Sequence, residues 1–382
     1  MYFFVLMASL FLIFLPGSIF SQPVSWEGQA SVWGTFNDTD SINTQLAARY
    51  ITGLNISRNL GNSITTDAQI TANAFAKGRF NYNDRFRATQ DVSDVGLHRC
   101  YARLAMANVD LRVGLQRLNF GSAVLLRPLM WFDGLDPRDP TQFSEGVYGA
   151  LLRVFFNNNG NLWFWGLYEN DEVKGWEILP TEKQRVEWGG RIQYPVYNGE
   201  LAFTYHRRTV DISGLFQPDP PLPPGPRTEQ RYAFDMRWDI EIGFWSEIVI
   251  VDFDNDELPL NRWRRFINMG ADYTIGIGNG IGVMGEYFEI GEPSDPFGGA
   301  NPARFLAASL DYSLGIADIV KGVFYNDLER NESYSFLAWI HTLDNWQFSL
   351  NGFWNPPSSS LNYDSGSMLA GKGVRLSITF NH

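Results

Sequence analysis

Apolar and polar residues alternate with a period of two along most of this chain. Tyr232, Phe234, Met236, Trp238 and Ile240 interleave with Arg231, Ala233, Asp235, Arg237, Asp239 and Glu241. A helix would scatter those charges around its circumference; an extended strand gathers them on one face. The same pattern sets Val186, Trp188, Ile192 and Tyr194 against Glu187, Arg191 and Gln193, and Trp346, Phe348 and Leu350 against Gln347, Ser349 and Asn351. The last such segment, Gly373–Phe380, places Val374, Leu376, Ile378 and Phe380 opposite Arg375, Ser377 and Thr379.

Segments of this kind recur about eighteen times, near 26–36, 46–58, 67–80, 98–107, 109–118, 147–156, 161–169, 186–197, 199–208, 230–241, 243–252, 264–276, 281–290, 304–314, 318–328, 333–342, 345–354 and 371–380. Sixteen also fits, because 67–80 and 98–107 alternate raggedly. Short turns such as Asn198-Gly199 and Leu343-Asp344 follow the even-numbered segments, and the longer stretches 119–146, 209–229, 291–303 and 355–370 follow odd-numbered ones. Short turns at one end and long loops at the other, with an even strand count, describe a transmembrane antiparallel β-barrel with both termini on the short-turn side. A soluble sandwich or propeller fits less well. The polar faces carry few Lys and Glu, no motif recurs at a fixed period, and Trp163, Trp188, Tyr194, Trp238, Tyr312, Trp346 and Trp354 lie near segment ends, as interfacial girdles require.

Composition sharpens this reading. Charged residues are only 19% and aromatics 15% of the 382 residues, and past residue 20 no apolar run is long enough for a membrane helix. The net charge of −12 argues against a nucleic-acid partner, since phosphate needs a basic surface. Cys100 is the single cysteine, so no internal disulfide supports the fold. Tyr2–Leu15 is apolar, Pro16-Gly17 interrupts it, and small Ser21 precedes Gln22. This predicts a signal peptide over 1–21, although its n-region carries no Lys or Arg, and a barrel over 22–382.

The most distinctive stretch is D-L-R-V-G-L-Q-R-L-N-F-G, Asp110–Gly121, followed by a long segment ending D-P-R-D-P at Pro140. Over Leu111–Pro140 the sequence resembles outer-membrane porin-like channels, with the alginate-export and carbohydrate-porin barrels as the nearest types; elsewhere the resemblance is architectural. It implies a barrel of about 16–18 strands with loop 119–146 folded into the lumen. Arg112, Gln116, Arg117, Arg127, Asp133, Asp136, Arg138 and Asp139 would then lie at or near a constriction. By parity, Arg153, Arg191, Asp235, Arg237 and Arg375 face the lumen from the wall. Each also reads simply as a solvated or paired inward side chain. Leu125–Phe132 is apolar enough to pack on the inner wall, or to form an external patch.

Other signals are weaker. Asp252, Asp254 and Asp256 alternate like calcium-loop carboxylates, but Glu257 stands where that turn needs Gly, so a solvated acidic tip fits better. G-I-G-N-G-I-G at Gly276–Gly282 has the wrong spacing for a dinucleotide site. His98, His206, His341 and His382 lie far apart without a hydrolase motif. The expectation is therefore a bacterial outer-membrane channel, not an enzyme, passing small hydrophilic or ionic solutes without cofactor or metal. Its partners would be membrane lipid, lipopolysaccharide and solute, with a homo-oligomer also open. The rivals are a non-transporting structural, adhesin or secretion-associated barrel and an outer-membrane hydrolase.

Overall fold

The computed structural model describes residues 24–38, 42–61, 63–81, 87–134, 142–144, 146–213, 227–254, 261–356 and 369–382. Segment 1–21, Asp136, Arg138, Asp139 and Asp256 lie outside them. The strands are β1 (Val24–Asp38), β2 (Ile42–Asn59), β3 (Ile64–Asn81), β4 (Arg87–Met106), β5 (Val109–Gln116), β6 (Val147–Phe155), β7 (Asn161–Tyr168), β8 (Val186–Val196) and β9 (Gly199–Val210). They continue as β10 (Arg227–Asp239), β11 (Gly243–Asp254), β12 (Trp263–Ile275), β13 (Ile281–Gly291), β14 (Ala303–Ser313), β15 (Asp318–Asp327), β16 (Glu332–Leu343), β17 (Trp346–Trp354) and β18 (Lys372–Asn381). Each pairs antiparallel with its neighbours in sequence, and β18 pairs back onto β1, from Gln29 opposite Asn381 to Asp38 opposite Lys372. The barrel is thus closed with eighteen strands.

Both ragged segments are strands. Register shifts at Thr71/Ala72 and Arg79/Phe80 break the β3–β4 ladder, and each shift swaps the faces of the residues beyond it. Alternation therefore fails locally, so the sequence pattern places the start of this strand near residue 98, whereas β4 begins at Arg87.

Outward positions are apolar and exposed, among them Ile192, Phe203, Phe234, Leu310, Leu350 and Leu376. Trp188, Tyr194, Trp346 and Trp354 are half-exposed near strand ends. Trp163 is not with them: it pairs across to Arg153 and Arg191 and faces inward. The inner face is not uniformly polar either. Leu151, Trp165, Val249, Phe266, Phe288 and Phe305 point inward and are buried. Strands such as β7 (N-L-W-F-W-G-L-Y) are apolar on both faces, so parity could not tell inside from outside there. The inward apolar side chains are covered by the segments that follow β5 and β7.

Candidate functional site

The segment leaving β5 packs on the inner face of the barrel. Two wall carboxylates hold its backbone. Glu247 of β11 accepts hydrogen bonds from the N–H groups of Ser122 (2.5 Å) and Ala123 (2.7 Å). Glu286 of β13 accepts from Val124 (2.7 Å), Leu125 (3.1 Å) and Leu126 (2.6 Å). Asn268 of β12, between them, donates to the Leu126 carbonyl at 2.8 Å and to Glu286 at 3.3 Å. Gly121 allows this approach: its φ is +93°, and a Cβ there would lie 2.6 Å from the Glu247 carboxylate. Two carboxylates thus accept five consecutive N–H groups, of which those of Ala123, Leu125 and Leu126 are buried.

The same segment turns its side chains into the wall. Leu118, Leu126, Leu129, Trp131 and Phe132 are at most 4% exposed. Phe120 stacks on Trp165 at 5.6 Å and meets Trp131 and Phe132 edge-on. Of the two readings open for Leu125–Phe132, the structure adopts inner-wall packing. His206 is fully buried in this layer. Trp165 Nε1 donates to His206 Nδ1 at 3.1 Å, which leaves Nε2 as the donor to Glu187 at 3.1 Å.

A second inward segment, 169–185 between β7 and β8, was not legible in the sequence. Trp176 lies 5.0 Å from Phe288 and donates its indole N–H to the Arg127 carbonyl at 2.8 Å. Glu177 pairs with Arg208 (3.2 Å) and Arg231 (2.7 Å), which also share Glu229, all in the buried layer. The two segments touch at Gly175, where φ is +53° and a Cβ would fall 1.9 Å from the Met130 carbonyl. Only glycine permits this contact.

These segments pack in the lumen against β6–β14 and leave an eccentric space along β15–β18, β1 and β2. A cavity of about 490 Å³ there is lined by Arg49, Lys321 and Arg375, by Gln29, Ser31, Gln347, Ser349, Asn351, Ser377 and Thr379, and by aromatic and aliphatic side chains that include Trp33, Phe143 and Phe353. No Asp or Glu is among the described lining residues. The hydroxyls and amides are partly paired across strands, Ser31 with Thr379 at 3.1 Å and Gln29 with Asn381 at 2.9 Å. Arg49 sits among Trp33, Phe75 and Phe143, its guanidinium 4.3 Å from the Phe143 ring, so it ties the returning limb of the loop to the wall. Arg99 does likewise, donating to the Ser144 carbonyl at 2.6 Å. Arg375 is 2% exposed and donates to Thr35 at 2.8 Å.

The other charged residues singled out in the sequence fall elsewhere. Arg191 and Asp235 form a bidentate pair at 2.6 and 2.7 Å, both buried beneath the loop. Arg112 pairs with Asp110 at 3.1 Å, Arg153 covers the Trp163 ring at 3.8 Å, and Gln116 donates to the Gly149 carbonyl at 3.1 Å. Arg237 is partly exposed and bonded to Asp239 and Asp272. Arg117 lies 4.0 Å from the buried Asp133, and Arg127 bonds to Asn119. Asp252 is paired with Arg262 at 2.9 Å, Asp254 closes β11, and no group of three or more His, Cys, Asp or Glu able to hold a metal occurs among the described residues. Sequence reasoning missed Arg49, Lys321, Glu177, Glu247 and Glu286. Parity alone marks Glu247, Glu286 and Lys321 as inward, but only the loop's path distinguishes them.

The barrel is similar over nearly its whole length to solved structures. These include OccK7 (OpdD) of Pseudomonas aeruginosa, with a TM-score of 0.56, 13% identity and coverage of 95% of this chain and 99% of that one. OccK5 (OpdH) of the same organism gives 0.57, 11%, 94% and 97%. An anion-selective porin from Comamonas acidovorans gives 0.50, 11%, 95% and 100%. The fold is that of a porin-like barrel. No family model matches the sequence, and no curated protein matches it.

Proposed function

We propose that this chain is an outer-membrane channel through which small hydrophilic solutes diffuse passively, and that its passage favours anions. The observation carrying this reading is the lining of the cavity beside the loop: Arg49, Lys321 and Arg375, with neutral hydroxyls and amides and no carboxylate among the described lining residues. An eighteen-stranded barrel encloses a lumen too wide to discriminate small solutes. A segment clamped to one side of it leaves a passage narrow enough for wall charges to set the field a solute meets.

In this reading 1–21 is a signal peptide that directs export, and the short turns face the periplasm. Loop 119–146 is the constriction element. Arg112, Gln116, Arg153, Arg191 and Asp235 support the wall beneath it, Arg117 and Arg127 carry charge on the loop beside buried Asp133, and Arg237 carries it near the short-turn end of the barrel; Asp136, Arg138 and Asp139 lie outside the described residues. Selectivity comes from width and charge without covalent chemistry. The alginate-export and carbohydrate-porin subtype rests on the Leu111–Pro140 resemblance alone. Lipopolysaccharide would surround the outer rim.

Planar-bilayer recording tests the proposal. Purified protein should give discrete open-channel currents, and under a salt gradient the reversal potential should have the sign of an anion-preferring pore. Neutralising Arg49 and Lys321 to Gln should move it toward zero. Absence of open-channel current would sink the channel reading; a cation-preferring reversal potential would sink the anion preference.

A further inference from the structure

The cavity beside the loop has two unlike sides. The residues of β16 that line it, Phe336, Ala338 and Ile340, are all apolar. On β17, the next strand, Gln347, Ser349 and Asn351 line it. The ladder sets Ile340 opposite Ser349 and Ala338 opposite Asn351, so the boundary between the sides runs along the β16–β17 seam. Val323 of β15 and Val124 of the loop extend the apolar side; Ser377 and Thr379 of β18 and Ser31 of β1 extend the polar one.

The inner wall of a membrane barrel is ordinarily polar. Val323 and Phe336 have a packing reason to depart from this, since they lie against the buried layer under the loop. Ala338 and Ile340 are outside that layer and partly exposed to the open space. An apolar surface there gains free energy only when the apolar surface of a solute displaces water from it.

The polar side supplies donors. Ser349 meets Ser377 at 2.5 Å and Ser31 meets Thr379 at 3.1 Å. Each pair uses one hydroxyl hydrogen for its bond and keeps the other to donate. Lys321 is exposed and stands opposite Ala338 in the ladder. Asp311 of β14 faces it from the other side, yet among the described residues no ion pair holds its ammonium. Arg375, farther along the same row, is too buried to meet a solute.

We propose that this cavity selects amphiphilic organic anions, those with a charged oxygen-bearing head on an apolar body. The inference rests on the anion-preferring channel reading above and adds the class of anion. The head lies beside Lys321 and accepts hydrogen bonds from the Ser349 and Asn351 side; the body lies along Phe336, Ala338 and Ile340. A wholly hydrophilic anion uses only the first set of contacts. The volume of about 490 Å³ is that of a small-molecule site. A methylene fully removed from water strengthens binding by about fourfold, and one laid along a single wall by about twofold.

The test is equilibrium dialysis of linear alkanesulfonates against the protein in lipid nanodiscs, with empty nanodiscs subtracted and planar-bilayer recording run in parallel. Hexanesulfonate, four methylenes longer than ethanesulfonate, should bind about 15-fold more tightly. Hexyltrimethylammonium should not bind above the empty discs. Lys321→Gln should weaken every chain length by a similar factor, whereas Ile340→Ser should flatten the dependence on chain length. Leu310→Ala, on the lipid face, should keep the wild-type series. Binding that ignores chain length, equal binding of the cation, or an unaltered series in Ile340→Ser overturns the proposal. Should Ile340→Ser fail to fold, Ala338→Ser and the wild-type series still decide. A protein that conducts anions but binds no sulfonate keeps the channel reading and loses this one. One that binds the series with the expected dependence but passes no current keeps the site and loses the channel.

Discussion

Removing the Glu286 carboxylate should loosen the inward loop that follows β5 without unfolding the barrel. Glu286 accepts the N–H groups of Val124, Leu125 and Leu126 at 2.6–3.1 Å. In Glu286→Ala the Leu125 and Leu126 donors, both buried, lose their acceptor, while the partly exposed Val124 can turn to water. Each buried orphan costs about 1–3 kcal/mol, so the clamped state loses about 2–6 kcal/mol. At 1.4 kcal/mol per decade, the released population rises by about 30-fold to about 20,000-fold. The apolar anchors Leu126, Leu129, Trp131 and Phe132 remain buried, so release should be transient. Single-channel recording should show higher mean conductance and excess open-channel noise, with heat stability of the barrel little changed. Glu286→Gln keeps one acceptor oxygen and should fall between the two. Glu247→Ala acts on Ser122 and Ala123 of the same segment, so the double variant should be non-additive in noise. Glu286→Ala with wild-type conductance and wild-type noise would refute the clamp.

Three further perturbations follow from particular contacts. Asp235→Ala leaves the Arg191 guanidinium, buried at 3% exposure, without its bidentate partner; a loss of about 3–5 kcal/mol is expected, read as a lower unfolding temperature on unheated-versus-heated gels. Gly175→Ala forces a Cβ onto the Met130 carbonyl at positive φ, which should free 169–185 and expose it to limited proteolysis, while the strands stay protected. Gly28→Val acts at the seam: even a Cβ at Gly28 would lie 2.4 Å from the His382 ring, whose backbone exchanges two 2.9 Å hydrogen bonds with Gly28. Slower folding and a lower melting temperature should follow. An unchanged refolding rate in detergent would show that closure does not depend on this contact.

The closing strand shows how far local pattern reaches. Val374, Leu376, Ile378 and Phe380 face outward and Arg375, Ser377 and Thr379 face inward, as their spacing says, because a strand's two faces are set by backbone geometry alone. The same rule located all eighteen strands and the sidedness of Arg191 and Asp235. It failed where a register shift swapped the faces in β4, and in β7, where both faces are apolar.

What inward residues do was decided elsewhere. Arg191 and Arg375 look alike in sequence: each is a single arginine at an inward position. In the folded barrel, Arg191 lies under the loop, locked to Asp235, whereas Arg375, equally buried, sits in the wall of the open cavity and bonds to Thr35. The difference arises because 117–134 and 169–185 settle on the β6–β14 side, held by Glu247, Glu286 and the aromatic layer. Those contacts join residues more than a hundred positions apart, such as Ser122 and Glu247. The strands, their faces and the closure of the barrel follow from a period of two, which is local and so legible in the chain. Which half of the lumen is filled, and which charges line the space left open, depends on long-range packing that leaves no period in the sequence.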